Sequence, residues 1–205
     1  MIKTEYLDSI VSRETLEKIN KYCEFLIKYN KDLNLISKST EDIIMSRHIE
    51  DSAQLLKYTD NNDKNILDIG SGGGFPGVVM ELLKKDLNIN FKLDIVEKSK
   101  KKCTYLKKLC KFLEIDVEIH NYDIKVLKKK NYTTLVSRAF KKLDNFLGIL
   151  DMSNIKYNKI LLLKGESYLL EIEQAKKYWE LNCDYHTSVT NPGSKVLVIN
   201  SVKKI

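Results

Sequence analysis

The sequence predicts an α/β protein: a doubly wound, mostly parallel seven-stranded sheet preceded by an N-terminal helical extension. Three observations carry this. Five of the eight glycines, with one of the two prolines, fall between residues 70 and 77, directly after a short apolar run. From residue 65 onward such runs alternate with stretches of helical periodicity, the pattern of a sheet wound by crossover helices. Upstream of residue 60 the apolar residues instead keep to helical faces.

The elements follow in order. Leu16, Ile19, Tyr22, Cys23, Leu26, Tyr29 and Leu33 share one helical face. A second helix begins at Ser39 or Thr40 and carries Ile43, Ile44, Arg47, His48, Asp51, Leu55 and Leu56. The mixed stretch 58–64 is the boundary, dividing the chain into an extension over 1–60 and a sheet domain over 61–205 on which the extension packs. Residues 65–69 (NILDI) form a buried parallel strand, 70–77 a glycine turn and 78–85 a helix. A second strand over 91–96 ends at Glu97. Ser99 then caps a helix whose apolar positions Cys103, Leu106, Cys110 and Leu113 recur at spacings of three and four. Strands are expected at 117–120, 134–137 and 159–163, and a helix at 170–181. Two closing strands, 186–189 and 196–199, are joined by the turn Asn191-Pro192-Gly193-Ser194.

Composition narrows the function classes. At 205 residues and 43% hydrophobic content the chain can bury one continuous core. It has no apolar run of about 18 residues to span a bilayer, and its first residues lack the layout of a secretory signal, so it is read as cytoplasmic with no membrane partner. Four cysteines without C-x-x-C spacing and three histidines suggest neither a metal site nor a disulfide framework, so the thiols are read as reduced and buried. The net charge of +7 is uneven: residues 98–130 hold eleven lysines against four acids, a local +7, and the rest of the chain sums to zero. Such a face suits a phosphate backbone, or is simply a solvated helix surface.

The glycine turn needs a ligand that its charges favour. Gly72-Gly73-Gly74-Phe75-Pro76-Gly77 satisfies G-x-G-x-x-G, a common pattern that by itself suggests a dinucleotide. Asp68, near the carboxyl end of the strand, argues against a pyrophosphate and for a cation. S-adenosylmethionine (AdoMet), with a sulfonium and an ammonium, therefore suits Asp68-x-Gly70-x-Gly72-x-Gly74 better. Glu97 is placed to accept hydrogen bonds from ribose hydroxyls. With prolines only at 76 and 192, the chain has no Asn/Asp-Pro-Pro-aromatic tetrapeptide for exocyclic amines and no Pro-Cys nucleophile for pyrimidine C5. Ring-nitrogen alkylation, ribose O-methylation and small-molecule or protein acceptors remain.

Beyond the turn, N-L-I-S at 34–37, R-H-x-x-D-S at 47–52, ILDI-GSGGGFPG, S-R-A at 137–139 and L-K-G at 163–165 occur in that order. Over about residues 20–200 the chain thereby resembles the RsmG (GidB) family. The resemblance implies a Rossmann-like class I AdoMet-methyltransferase fold and methyl transfer to N7 of one guanine in the 530 loop of 16S ribosomal RNA. The partner it implies is the small ribosomal subunit or its precursor, and a monomer is expected. By position it carries cofactor contact to Gly70, Phe75, Ile124, Lys125 and Arg138, with Gly72, Glu97 and Asp123 completing the set. Gly73, where a small or polar residue is expected, implies a looser turn.

Chemistry agrees with that implication. Guanine N7 offers a lone pair and carries no proton, so transfer needs alignment rather than a general base, and a flat pH profile near neutrality follows. Only Arg13, Arg47 and Arg138 occur beside 32 lysines, which marks sites where a planar fork is needed. Arg138 can bind the cofactor carboxylate, order an RNA phosphate or close a strand-end salt bridge. Arg47, His48 and Lys164 are the candidates for substrate positioning. Arg47 can equally pair with Asp51 four residues on, and Lys164 can equally snorkel. Two other functions fit the same residues: a small-molecule methyltransferase, or a non-catalytic AdoMet-sensing ribosome-binding module.

Overall fold

The computed structural model describes residues 7, 10–127, 131–138, 141–153 and 155–205. Lys128, Lys129 and Lys130 of the basic stretch and Ala139 of S-R-A lie outside them. Seven strands form one sheet in the order β3-β2-β1-β4-β5-β7-β6. They are β1 (Asn65–Ile69), β2 (Lys92–Val96), β3 (Glu118–His120), β4 (Thr134–Arg138), β5 (Lys159–Lys164), β6 (Trp179–Thr187) and β7 (Lys195–Lys204). The first five are parallel, and β7 runs antiparallel to both its neighbours.

Alternation along β1 explains the two layers. Ile66 faces a core built from the helices α1 (Arg13–Leu33), α2 (Gly77–Leu83) and α3 (Lys100–Leu113). Leu67 and Ile69 face a second core with α4 (Leu143–Asp151) and α5 (Tyr168–Ala175). Helix α1 opens on the Ser12 cap, whose hydroxyl accepts from Thr15 N, and buries Ile19, Tyr22 and Leu26 in the first core. A hydrophobic stripe this long has to be covered, and the sheet's helices cover it. Cys103 and Cys110 lie on the buried stripe of α3; Cys23 and Cys183 are only partly buried, and all four are free thiols.

Three expectations change. Residues 38–58 are not one α-helix but 3₁₀ turns at Lys38–Ile43 and Gln54–Tyr58 flanking a π-helical turn, Met45–Glu50, and a short α segment. The helix expected over 170–181 stops at Ala175, and Trp179–Thr187 is strand. There Glu180, Asn182 and Asp184 are exposed between the better buried Trp179, Leu181 and Cys183, a two-residue period that long antiparallel pairing with β7 satisfies. Helix α4 was not anticipated, although Leu143, Phe146, Leu147 and Leu150 have helical spacing.

Candidate active site at the carboxyl edge of the sheet

The glycine turn is held from beneath. Asp68, wholly buried, accepts from Ser71 Oγ (2.5 Å) and Gly77 N (2.8 Å). A Cβ at Gly77 would come within 2.6 Å of that carboxylate oxygen, so glycine is required for helix and strand to approach. Gly74, at φ +105°, is closed by the Tyr22 hydroxyl, 2.5 Å from where its Cβ would stand. Burial raises the Asp68 carboxyl to about 7 against the two hydrogen bonds that lower it. This corrects the electrostatic expectation: Asp68 is a fastener under the turn, and it is not among the residues walling the adjacent cavity. Gly73 does not loosen the turn either. Its carbonyl accepts from Tyr22 Oη (2.8 Å) and Tyr105 Oη (3.2 Å), and a Cβ there would meet Leu26 and Phe75 at 3.2 Å. Burial keeps both phenols protonated, as donors must be.

Two cavities open beside this turn. The first, about 620 Å³, lies over the ends of β1 and β2 and is lined by Gly70, Glu97, Asp123, Ile124 and Lys125. Glu97, 7% exposed, accepts from Gly72 N (3.2 Å) and Ser99 N (2.8 Å). Asp123 accepts from Lys125 N at 3.1 Å, which fixes the short turn Ile124–Val126. Six of the eight expected cofactor residues are thus in or directly bonded to this cavity's wall.

Phe75 and Arg138 are not. Phe75 is buried, its ring 5.4 Å from Tyr22 and 5.1 Å from His48. Arg138 lines the second cavity, about 560 Å³, together with Arg47, His48 and Lys164. The three residues expected to position substrate are therefore gathered in one place, with Lys141 on the walls of both cavities.

Arg138 organises this second cavity. Its guanidinium lies 4.8 Å over Phe75, donates to the Arg47 carbonyl (3.1 Å) and to His48 Nδ1, and faces Asp51 at 3.8 Å. An arginine can only donate, so His48 Nδ1 is the acceptor and its proton sits on Nε2, directed at Thr40 Oγ1 (2.8 Å). The Thr40 hydroxyl in turn donates to the Ser37 carbonyl at 2.8 Å. Burial, then Arg138 and Arg47, lower the His48 pKa to about 3, so the imidazole is neutral. The wide π-helical turn puts His48 and Asp51 inward and leaves Arg47 exposed. Among the described residues Asp51 pairs with Arg138 rather than Arg47. Asp51 Oδ1 also accepts from Gln54 (2.9 Å) and Thr190 (3.1 Å), tying the extension to the turn before β7. Gln54 and Thr190 were missed, because a single amide or hydroxyl carries no periodic signal in sequence. Lys164, 9% exposed, neither snorkels nor stands free: it donates to the Lys141 carbonyl (2.6 Å) and Glu171 (2.8 Å).

Among the described residues no helix is long and apolar enough to cross a membrane. The sheet order and the ligand-edge cavities are those of a nucleotide-binding α/β fold. A solved structure titled a SAM-dependent methyltransferase from Aquifex aeolicus is similar in fold. Its TM-score is 0.54 and its identity 13%, over 77% of this chain and 93% of that one. Ribosomal RNA small subunit methyltransferase G of Ruegeria sp. is 33% identical over 97% of each chain. That of Rickettsia akari is 35% identical over 95% of this chain and 98% of its own. The family model described as rRNA small subunit methyltransferase G (GidB) matches residues 15–198. With the turn, both cavities and the Arg138 network all inside the matched span, the chain belongs to the rRNA small subunit methyltransferase G family.

Proposed function

We propose that this protein transfers the methyl group of AdoMet to N7 of a guanine in the 530 loop of 16S rRNA. The substrate is the small ribosomal subunit or its precursor, and the protein acts in the cytoplasm as a monomer. Residues 61–205 form the methyltransferase unit and residues 1–60 a helical extension to it. The observation that carries this reading is the pairing of two unlike cavities across Lys141 at the carboxyl edge of the sheet.

The first cavity fits AdoMet. Its volume is that of a pocket for a drug-sized ligand. Ile69, Val96, Ile124 and Met152 give it apolar walls for an adenine, and Glu97 and Asp123 give it acceptors for hydroxyl and amino groups. AdoMet supplies an electrophilic methyl carbon on a positively charged sulfur. What remains for the chain's own residues is to bind and align. Guanine N7 has a lone pair and no proton to lose, so no side chain has to act as base. His48 matches that demand, since it is neutral and its free nitrogen is already taken by Arg138. Arg47 and Arg138 hold phosphate or base by charge and fork geometry. Lys164, locked between α5 and the Lys141 carbonyl, fixes the far wall.

Incubation with methyl-labelled AdoMet and small subunits lacking the modification tests this directly. Label at guanine N7 of 16S rRNA is the expected result. Label at another atom, label only in a small added acceptor, or AdoMet binding without transfer would each overturn it.

A further inference from the structure

The flank where α1 lies on α3 carries a feature that neither cavity uses. Phe112 is 49% exposed and stacks on Phe25 with ring centroids 5.1 Å apart and planes at 24°. Phe25 in turn stacks on Tyr29 at 4.7 Å, and Lys108 Nζ lies 5.6 Å over the Tyr29 ring. Single exposed apolar residues are ordinary on protein surfaces. A ladder of stacked rings whose outermost member is open to water, among lysines, is a different arrangement. Helix α3 holds six lysines and no acidic residue in its 14 positions. Phe112 lies off the buried stripe of Cys103, Leu106, Leu109, Cys110 and Leu113, so core packing does not demand a ring there.

We propose that this face is a second RNA contact, where an unpaired base of the ribosomal RNA stacks on Phe112 while Lys108 and Lys111 neutralise neighbouring phosphates. Charge selects the occupant: a polyanion with flat π-faces complements lysines around an open ring, and stacking on aromatic side chains is how proteins hold single-stranded nucleic acid without reading its sequence. The position also suits a substrate seated at the cavities. Lys102 lines the first cavity, and Phe112 lies ten residues further along the same helix, about 15 Å at 1.5 Å per residue. The ladder reaches inward as well. Tyr105, 5.8 Å from Phe25 and 5.5 Å from Tyr29, is one of the two residues that donate to the Gly73 carbonyl, so a buried side chain links the docking face to the glycine turn.

This inference rests on rRNA being the substrate, and its test separates the two. Binding to unmodified small subunits is measured across a salt series for Phe112→Ala, Phe112→Leu, Phe112→Trp and the double variant Lys108→Ala/Lys111→Ala. AdoMet affinity is followed in parallel by calorimetry. Phe112→Trp should bind as the wild type does. Phe112→Leu, which keeps an apolar side chain, should bind about tenfold more weakly, as Phe112→Ala should, with the salt slope unchanged. The lysine variant should lose affinity and also flatten the slope by about 0.7 to 0.9 per lysine. AdoMet affinity should hold throughout. A photoreactive benzoylphenylalanine at position 112 should cross-link to rRNA. Wild-type binding by Phe112→Leu and Phe112→Ala, or cross-linking to a ribosomal protein instead of RNA, overturns the proposal while rRNA methylation persists. Absence of any methyl transfer to rRNA by the wild type overturns the substrate reading, and this surface with it.

Discussion

The first cavity is walled by Gly70, apolar side chains and three carboxylates, Glu97, Asp123 and Asp144, that offset most of its lysine charge, whereas the second, across Lys141, is walled by Arg47, Arg138 and Lys164 around a neutral histidine. On the proposed assignment the first selects by shape and by hydrogen-bond acceptors, which screening by salt barely touches. On the same assignment the second selects by positive charge held in fixed directions. A methyl donor that is itself cationic and an acceptor embedded in a polyanion call for that division. Keeping the two apart by one shared residue lets a single sheet edge serve both.

The difference can be broken most severely at the turn. Gly74→Ala would press a Cβ on the Tyr22 hydroxyl at a φ of +105°, with backbone strain alone costing about 1–3 kcal/mol. Calorimetry should show AdoMet affinity falling at least tenfold, with rRNA affinity reduced less. Equal losses would mean that the cavities are not separable. Arg138→Lys comes next. An ammonium has no planar fork to meet His48, Asp51 and the Arg47 carbonyl together, so single-turnover methylation at saturating AdoMet should fall about 10- to 100-fold. AdoMet affinity should move by less than about threefold; a fall in step with the rate would assign Arg138 to the cofactor instead. Lys100→Glu/Lys101→Glu, on the exposed start of α3, should weaken rRNA binding and lower its salt slope by about 0.7 to 0.9 per lost phosphate contact, leaving AdoMet binding intact.

The smallest effect concerns pH. Burial raises Asp68 to about 7, above its unfolded value of 3.8, so the folded protein binds the extra proton more tightly. Its contribution to stability is therefore full below pH of about 4, is lost as pH rises toward 7 and is flat above. Asp68→Asn should remove that slope from a series of thermal melts. His48, at about 3, should add none near neutrality, so any inflection of the methylation rate there should vanish in Asp68→Asn and persist in His48→Asn.

The same two regions show what a sequence discloses. The first cavity was legible because backbone built it: glycines crowd where strand and helix must approach, and Glu97 and Asp123 stand where strands end. The sheet was legible for a similar reason, since NILDI, KLDIV and KILLL are buried on both faces. Arg47, His48 and Lys164 could be named, but not their partners. The Arg138–His48–Thr40 chain joins the end of β4 to a stretch 90 residues earlier, and a π-helical turn decides which of its residues face inward. The misread helix after residue 175 has the same origin: local pattern permits either state there, and pairing with β7 decides. Asp68 was right in place and wrong in role, because a charge drawn on a strand end does not reveal which side of the turn it faces.

One carbonyl oxygen, that of Gly73, answers to hydroxyls from two separate helices, Tyr22 on α1 before the first strand and Tyr105 on α3 between β2 and β3. Deletion mapping would therefore mislead for this protein. A fragment shorn of its first thirty-odd residues loses one of those two anchors, and a loss of rRNA methylation would read as poor target recognition when the injury is to the glycine turn itself.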